Sequence, residues 1–422
     1  MAERNKLIFV YAHWEGMNYP KLMGTLSASE IRGKEIFSFE YDPGWLDSDK
    51  RFLLDPGLQF FTGPQYIYDS KPNFGIFSDS SPDRWGRMLI KRRESLEARL
   101  NQRAERRLLE SDYLLGVFDG SRMGGLRFKT SKDGDFLDNN DSFASPPWTS
   151  LRELENASLK IEDNDYENST SYIDWLNLLV APGSSLGGAR PKAGVTDPGK
   201  RLWIAKFPSR HDLRDSGLWE MIAYEIAVKA GIMMSECRVE SFTSTHHTFL
   251  TKRFDRSSKG ERIHFTSAMT MLGYNDGADA GTGASYLEIA EFIVRNSAAP
   301  NDDLKQLWTR IVFNIAVSNT DDHLRNHGFL LTPSGWRLSP AFDINPEPGG
   351  YGLSLNITEN DNRLDMKLAL DAAPFFRLNH DECNSIIKHV TEVVGQWEII
   401  ADKYGISSSE KRLMASAFLY QL

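Results

Sequence analysis

Ser318 to Phe329 reads SNTDDHLRNHGF and follows directly on an apolar, helix-like run, DDLKQLWTRIVFNIAV. Leu304, Leu307, Trp308, Ile311, Val312 and Ile315 recur in that run at helical spacing, with Asp302 or Asp303 near the expected cap. Six polar residues in a row, Ser318 to His323, then leave the helix end. So many polar groups beside an apolar element are costly unless they bind something. Asp321 and Asn326 stand five residues apart, which lets a short loop aim a carboxylate and an amide into one cleft. His323 and His327 have the i, i+4 spacing of zinc-binding histidines. Leu324, however, stands where an HExxH motif has its glutamate, and Gly328 favours a loop over a helix, so zinc is not expected.

Downstream, WRLSPAFDINP (Trp336 to Pro346) follows a hairpin-like stretch, and Asp343 stands twenty-two residues after Asp321. A carboxylate there suits Mg2+ bridging phosphates, although a lone Asp in a turn is commonplace. Upstream, Gly183 to Lys192 reads GSSLGGARPK. Glycines let backbone approach a ligand, and successive N–H groups cradle phosphates. The run is neither GxGxxG nor GxxxxGK(S/T), and by itself it reads equally as a surface turn. Lys206 sits inside the strand-like WIAKF, where its charge must be paired or reach solvent. It reads as an edge-strand lysine or as a grip on nucleotide phosphates, with Glu220 on the next helix-like segment as its candidate partner. A Gly/Ser loop, a strand Lys, an Asp-x4-Asn loop and a metal-type Asp follow the order of catalytic parts in protein kinases. The joint pattern implies ATP-dependent phosphoryl transfer.

Across 422 residues, 41% are apolar and 25% charged, which excludes general disorder. The 49 basic and 58 acidic side chains leave a formal charge of −9, which argues against an autonomous nucleic-acid binder without forbidding a local basic patch. Cys237 and Cys383 lack CxxC neighbours and read as reduced thiols. The run Leu7 to Ala12 is too short for a signal-peptide core, and no stretch reaches the roughly 18 apolar residues of a membrane span. A cytoplasmic protein without membrane association is expected.

Residues 1–130 are expected to form a strand-rich subdomain, with strands at LIFVYAHW, EIFSFEYD and FGIFSD. A helix opens near SPDRW with Ser81 as a cap, and a hairpin turns at Asp119-Gly120. The basic run on that helix (Lys91, Arg92, Arg93, Arg99, Arg103, Arg106, Arg107) reads as a solvated face or as a phosphate or partner contact. Residues 131–173 read as a linker and connecting segment, 174–265 as a part like a kinase N-lobe with the phosphate loop, and 266–422 as a helical catalytic lobe. Strands first and helices later predict a bilobal α+β, protein-kinase-like fold.

These motifs resemble the HipA family of serine/threonine kinase toxins over nearly the whole chain. SSLGGARPKA is similar to the family's phosphate loop, TDDHLRNHGFL to its catalytic loop, LSPAFDINP to its metal-binding segment and FLTKRFDR to its RFDR strand. SPDRWGRMLI (Ser81 to Ile90) and GVFDGSRMGGLRF resemble segments of the domain ahead of the kinase core. The resemblance implies Asp321 as catalytic base, Asn326 and Asp343 as Mg2+ ligands, and Lys206 on the ATP phosphates. It puts Gly187, Gly188, Ala189, Arg190 and Lys192 around the nucleotide, and Phe254 near the adenine with Lys252 and Arg253 as hinge. His323, Arg325 and Asn326 would line the ATP site. Ser185 takes the autophosphorylated position, with Ser184 the adjacent alternative, and a phosphate there would repel a loop that itself binds phosphate. A HipB-like helix-turn-helix antitoxin, operator DNA reached through it, and a protein substrate are implied as partners, the substrate being an aminoacyl-tRNA synthetase in the best-known case. Two departures stand out: Lys252 replaces an acidic residue of the best-known member, and Arg190-Pro191 replace a Gln-Glu pair. A small-molecule kinase of the aminoglycoside-phosphotransferase type and a non-catalytic nucleotide-binding co-repressor stay open as alternatives.

Overall fold

The computed structural model describes residues 5–49, 51–67, 71–141, 144–163, 172–180 and 190–419. The chain falls into two compact units, Met1–His211 with Asp255–Thr266, and Asp212–Phe254 with Ser267–Leu422.

In the first unit, period-two alternation builds an antiparallel sheet. Its strands are β1 (Asn5–Ala12), β2 (Lys21–Ile31), β3 (Lys34–Tyr41), β4 (Gln65–Tyr66) and β5 (Leu126–Lys129), in the order β4-β3-β2-β1-β5. Ile8 opposite Leu26, Ala28 opposite Phe37, and Val10 opposite Phe128 form buried cross-strand pairs. The strand expected at FGIFSD is instead a short helix, Gly75–Asp79. The Asp55 carboxylate accepts from the Gly57 and Ile76 N–H groups at 2.7 and 3.0 Å, so it satisfies a donor that a helix start leaves open. Ile76 and Phe77 are buried in that turn, and a short apolar run does not tell helix from strand.

The basic helix spans Arg84–Leu100, and its cap is Asp83, whose Oδ1 accepts from Gly86 N at 2.8 Å. Ser81 does not cap; its hydroxyl donates to Phe77 O. Part of the basic run is spent internally, since Arg103 and Arg106 both donate to the buried Glu94. The hairpin expected at Asp119-Gly120 is a single 3-10 turn, Asp119–Ser121. Beside it the fully buried Arg122 donates to the carbonyls of Ser80, Leu114, Val117 and Leu137 at 2.8–3.0 Å, so carbonyls that a hairpin ladder would engage are satisfied by a side chain. Strands Lys192–Thr196 and Leu202–Lys206 form an antiparallel pair with Lys192 directly opposite Lys206.

The second unit is mostly helical. Helix Ser216–Lys229 is capped by Asp215 and followed by Gly231 at φ +83°, the left-handed stop its sequence predicts. Strands Cys237–Glu240 and Thr248–Lys252 pair antiparallel, as do Gly328–Thr332 and Gly335–Leu338. In helix Pro300–Ala316 the whole apolar stripe from Leu304 to Ile315 is buried. Neither Asp302 nor Asp303 takes the cap position; Ala299 does, with Pro300 in the first turn. Asp303 is buried because it accepts from the Arg337 guanidinium and from Leu338 N at 3.0–3.1 Å, anchoring the strand that leads to Asp343. Helices His380–Val394, Trp397–Lys403 and Ser408–Met414 follow. Both cysteines are free and buried, and among the described residues no helix is long and apolar enough to cross a membrane. The class is α+β, as expected.

Candidate active site

After helix Pro300–Ala316 the chain reverses at Ser318, at φ +51°. The Asp321 carbonyl then accepts from His323 N at 2.9 Å and from Asn326 Nδ2 at 3.0 Å, closing the five-residue loop into the 3-10 turn Leu324–Asn326. Leu324 is buried beneath the turn. The two adjacent aspartates point apart: Asp321 is exposed, while Asp322 is buried. One oxygen of Asp322 accepts from Tyr286 OH and Asn314 Nδ2, each at 2.6 Å, and from His327 Nε2 at 2.8 Å. Burial pushes the Asp322 carboxyl upward, but the facing His327 and the hydrogen bonds from His327 and Tyr286 outweigh it and hold it below the ordinary range. Asp322 is thus a charged anchor inside the loop, and it leaves Asp321 presented outward.

The Asp343 segment is pinned from three sides. Ala341 N donates to Met233 O at 2.8 Å, and the Phe342 ring packs on Phe254 with centroids 5.4 Å apart. Asn345 N donates to Asn319 Oδ1 and Glu347 N to Ser318 O, each at 3.2 Å. The turn carrying Asp321 and Asn326 is therefore joined to the turn carrying Asp343. Asp343 itself sits at φ +57°, and its Oδ1 accepts from Asn345 Nδ2 at 3.2 Å. Phe254 brings the end of the RFDR stretch against the same segment. Lys252 lies 3.8 Å from Glu236, Arg253 is buried, and Arg325 pairs with Asp276 at 3.0 Å.

The donor set suits Mg2+. Asn326 Oδ1 is buried and accepts no hydrogen bond among the described residues, as does a ligand oxygen awaiting a cation. Among the described residues no cluster of three His, Cys, Asp or Glu side chains converges on one point. Mg2+ does not require one, because it is held by one or two protein oxygens together with water and substrate phosphates. His323 Nδ1 is likewise buried without a partner among the described residues, beside the same turn.

Asp321, His323, Arg325, Asn326, Asp343, Lys252, Arg253 and Phe254 all belong to the second unit, as does Glu220. Arg190, Lys192 and Lys206 belong to the first. Arg190 Nε donates to Phe207 O at 3.1 Å. Lys192 departs from its expected place around the nucleotide: it is buried, and its Nζ lies 2.9 Å from Asp83 Oδ2. That carboxylate offsets the unfavourable placement of two lysines opposite each other across a strand pair. Ser184, Ser185, Gly187, Gly188 and Ala189 lie outside the described residues. Sequence reasoning missed Tyr286, Asn314, Asn319 and Asp322. Asn314 alone left a signal, an amide falling on the apolar stripe of its helix at the spacing of Leu307 and Ile311.

A model of the HipA-like C-terminal domain matches residues 184–397, just over half of the chain. The serine/threonine-protein kinase toxin HipA of Shewanella oneidensis is 26% identical over 193 residues, 39% of this chain and 43% of that protein. The toxin YjjJ of Escherichia coli is 25% identical over 306 residues, 69% of this chain and 62% of that one. The chain thus spans less than two thirds of the length of these curated relatives. Among solved structures, a HipA chain from the Shewanella oneidensis complex of HipA, HipB and operator DNA superposes with a TM-score of 0.64 at 16% identity, over 98% of this chain and 95% of that one. The similarity establishes a shared fold.

Proposed function

The chain belongs to the HipA family, and from that premise we propose that it is an ATP- and Mg2+-dependent serine/threonine protein kinase acting as the toxin of a toxin–antitoxin module. The observation that supports this reading best is the joining of the Asp321–Asn326 turn to the Asp343 turn, which gives one base and two oxygen ligands a common mounting. ATP supplies the phosphoryl group, and Mg2+ neutralises its charge. Asp321, exposed, accepts the proton of an incoming hydroxyl. Asn326 and Asp343 would hold the cation. Phe254 offers an apolar face to the base, with the Lys252–Arg253 backbone beside it, and Lys206 and Arg190 are assigned to the phosphates. Ser185, or Ser184 next to it, is the proposed site of self-modification.

The HipA chain used for comparison is in complex with HipB and operator DNA. By that likeness a HipB-like helix-turn-helix protein is the proposed antitoxin here, contacting DNA on the pair's behalf, in keeping with the chain's own charge of −9. A cytoplasmic protein, such as an aminoacyl-tRNA synthetase, is the proposed substrate. The test is phosphate incorporation from radiolabelled ATP into the purified chain and into lysate proteins. Asp321→Asn removes the base and leaves the shape, so incorporation is expected to fall by at least about 10²-fold with an unchanged circular dichroism spectrum. Wild-type incorporation by that variant, or labelled metabolites in place of labelled protein, overturns the reading.

A further inference from the structure

We propose that Asn319 is a positioning residue whose amide yokes the turn bearing Asp321 to the turn bearing Asp343. The inference rests on the phosphotransfer reading above and goes beyond it by naming the part that aligns base and metal ligands.

Asn319 is fully buried, and both ends of its amide are engaged. A backbone N–H only donates, so Asn345 N forces Asn319 Oδ1 toward itself, at 3.2 Å. That leaves Asn319 Nδ2 facing Asn314 Oδ1, at 3.1 Å. Asn314 must then turn its own Nδ2 away, and it donates to Asp322 Oδ2 at 2.6 Å. Tyr286 and His327 donate to the same oxygen, so Asp322 serves as the acceptor that ends the chain. Asn319 N also donates to Asn314 O at 2.9 Å, which fixes the backbone to helix Pro300–Ala316. Each amide orientation is dictated by its neighbour. No other side chain fits this place: Asp keeps the shape and one acceptor but sets oxygen against Asn314 Oδ1, and an apolar residue leaves Asn345 N and Asn314 without partners.

The consequence is mechanical. Asn319 stands two residues before Asp321, and Asn345 two after Asp343. Loss of the yoke lets the two turns drift against each other, and a misplacement of about 1 Å costs on the order of 10²-fold in rate. The relay also couples residues that do not touch in it. With Asn319→Asp, an Asn314 rotated by half a turn would donate to the introduced carboxylate and offer oxygen to residue 322. Asp322→Asn supplies the donor that this oxygen needs.

The full-length wild type, Asn319→Asp, Asp322→Asn and the double variant are compared for self-phosphorylation at saturating Mg2+-ATP, for the KM of ATP, and for hydrogen exchange of the peptide covering 343–347. In Asn319→Asp the maximal rate is expected to fall about 10- to 100-fold with KM within about twofold, and the 343–347 peptide to lose protection. The double variant is expected to recover at least about fivefold over Asn319→Asp, a rescue that a merely structural amide would not give. Unchanged protection or rate in Asn319→Asp, or a double variant no better than that single one, overturns the yoke. Should Asn319→Asp fail to fold, Asn319→Ser takes its place, with the same directions expected for rate and exchange. A wild type that transfers no phosphate brings down the phosphotransfer reading itself, a result distinct from an active wild type with an indifferent variant.

Discussion

Asp83→Asn removes a charge from the first unit and no heavy atom. Asp83 has two tasks: its Oδ1 caps helix Arg84–Leu100 through Gly86 N at 2.8 Å, and its Oδ2 faces Lys192 Nζ at 2.9 Å. Asn caps about as well as Asp, so the first task survives. The second does not, and the side chains concerned are 1% and 5% exposed, which leaves an ammonium in the interior without the counter-charge of that carboxylate. Removing one partner of a buried pair costs about 3–5 kcal/mol, whereas replacing both by apolar groups is neutral or stabilising in many cases. At a urea slope of about 2 kcal/mol per molar, the midpoint of the first unit should fall by about 2 M. Trp85, whose indole N–H donates to Lys192 O at 3.0 Å, is a fluorescent reporter at the spot. Asp83→Asn combined with Lys192→Met should return the midpoint to within about 0.5 M of wild type. A single variant that unfolds within about 0.5 M of wild type would refute the reasoning, because the pair would then be worth no more than an exposed one.

Two further outcomes follow from local geometry. A hydrogen bond from Arg103, reinforced by Arg106 and opposed only in part by burial, holds the Glu94 carboxyl down to about 2 from 4.5. A carboxyl depressed in the folded state contributes stability that is present above its unfolded pKa and lost as pH falls through the folded value. Urea midpoints measured between pH 4.5 and 2 should therefore drop more steeply for wild type than for Glu94→Gln. Equal slopes would show that the carboxylate is not stabilised. Gly217→Ala sets propensity against packing. Alanine gains up to about 1 kcal/mol in a helix, but its Cβ would lie 2.1 Å from His247 O, a backbone atom that must shift. A net loss of about 1–3 kcal/mol in thermal or urea unfolding is expected, and a stabilised variant would show the backbone yields freely.

Residues whose chemistry is particular were legible in the sequence. The Asp-x4-Asn spacing, the Asp343 segment and the apolar stripe from Leu304 to Ile315 carry their meaning in residue type and period alone. What escaped were contacts decided in three dimensions. Tyr286 reaches Asp322 across thirty-six positions, and nothing in the spelling of either residue announces it. Asp303 reads as a helix cap because acidic residues favour helix starts, yet it is drawn inward by Arg337. Ser81 and Asp83 are both competent caps, and only the direction of the chain after Phe77 decides between them. Phe74 to Asp79 is too short for periodicity to separate strand from helix, and Asp55, nineteen residues upstream of Phe74, settles it.

The left-handed backbone at Asp343 governs how that position should be interrogated. Glycine would adopt this dihedral without strain, and asparagine tolerates it nearly as well as aspartate, whereas alanine incurs on the order of 1–2 kcal/mol for its Cβ. An alanine scan would therefore confound two losses there, the missing oxygen and a bent main chain that drags Asn345 and Glu347 with it. Asparagine isolates the carboxylate, and glycine frees the hinge while deleting the side chain altogether, so the pair resolves what alanine would blur.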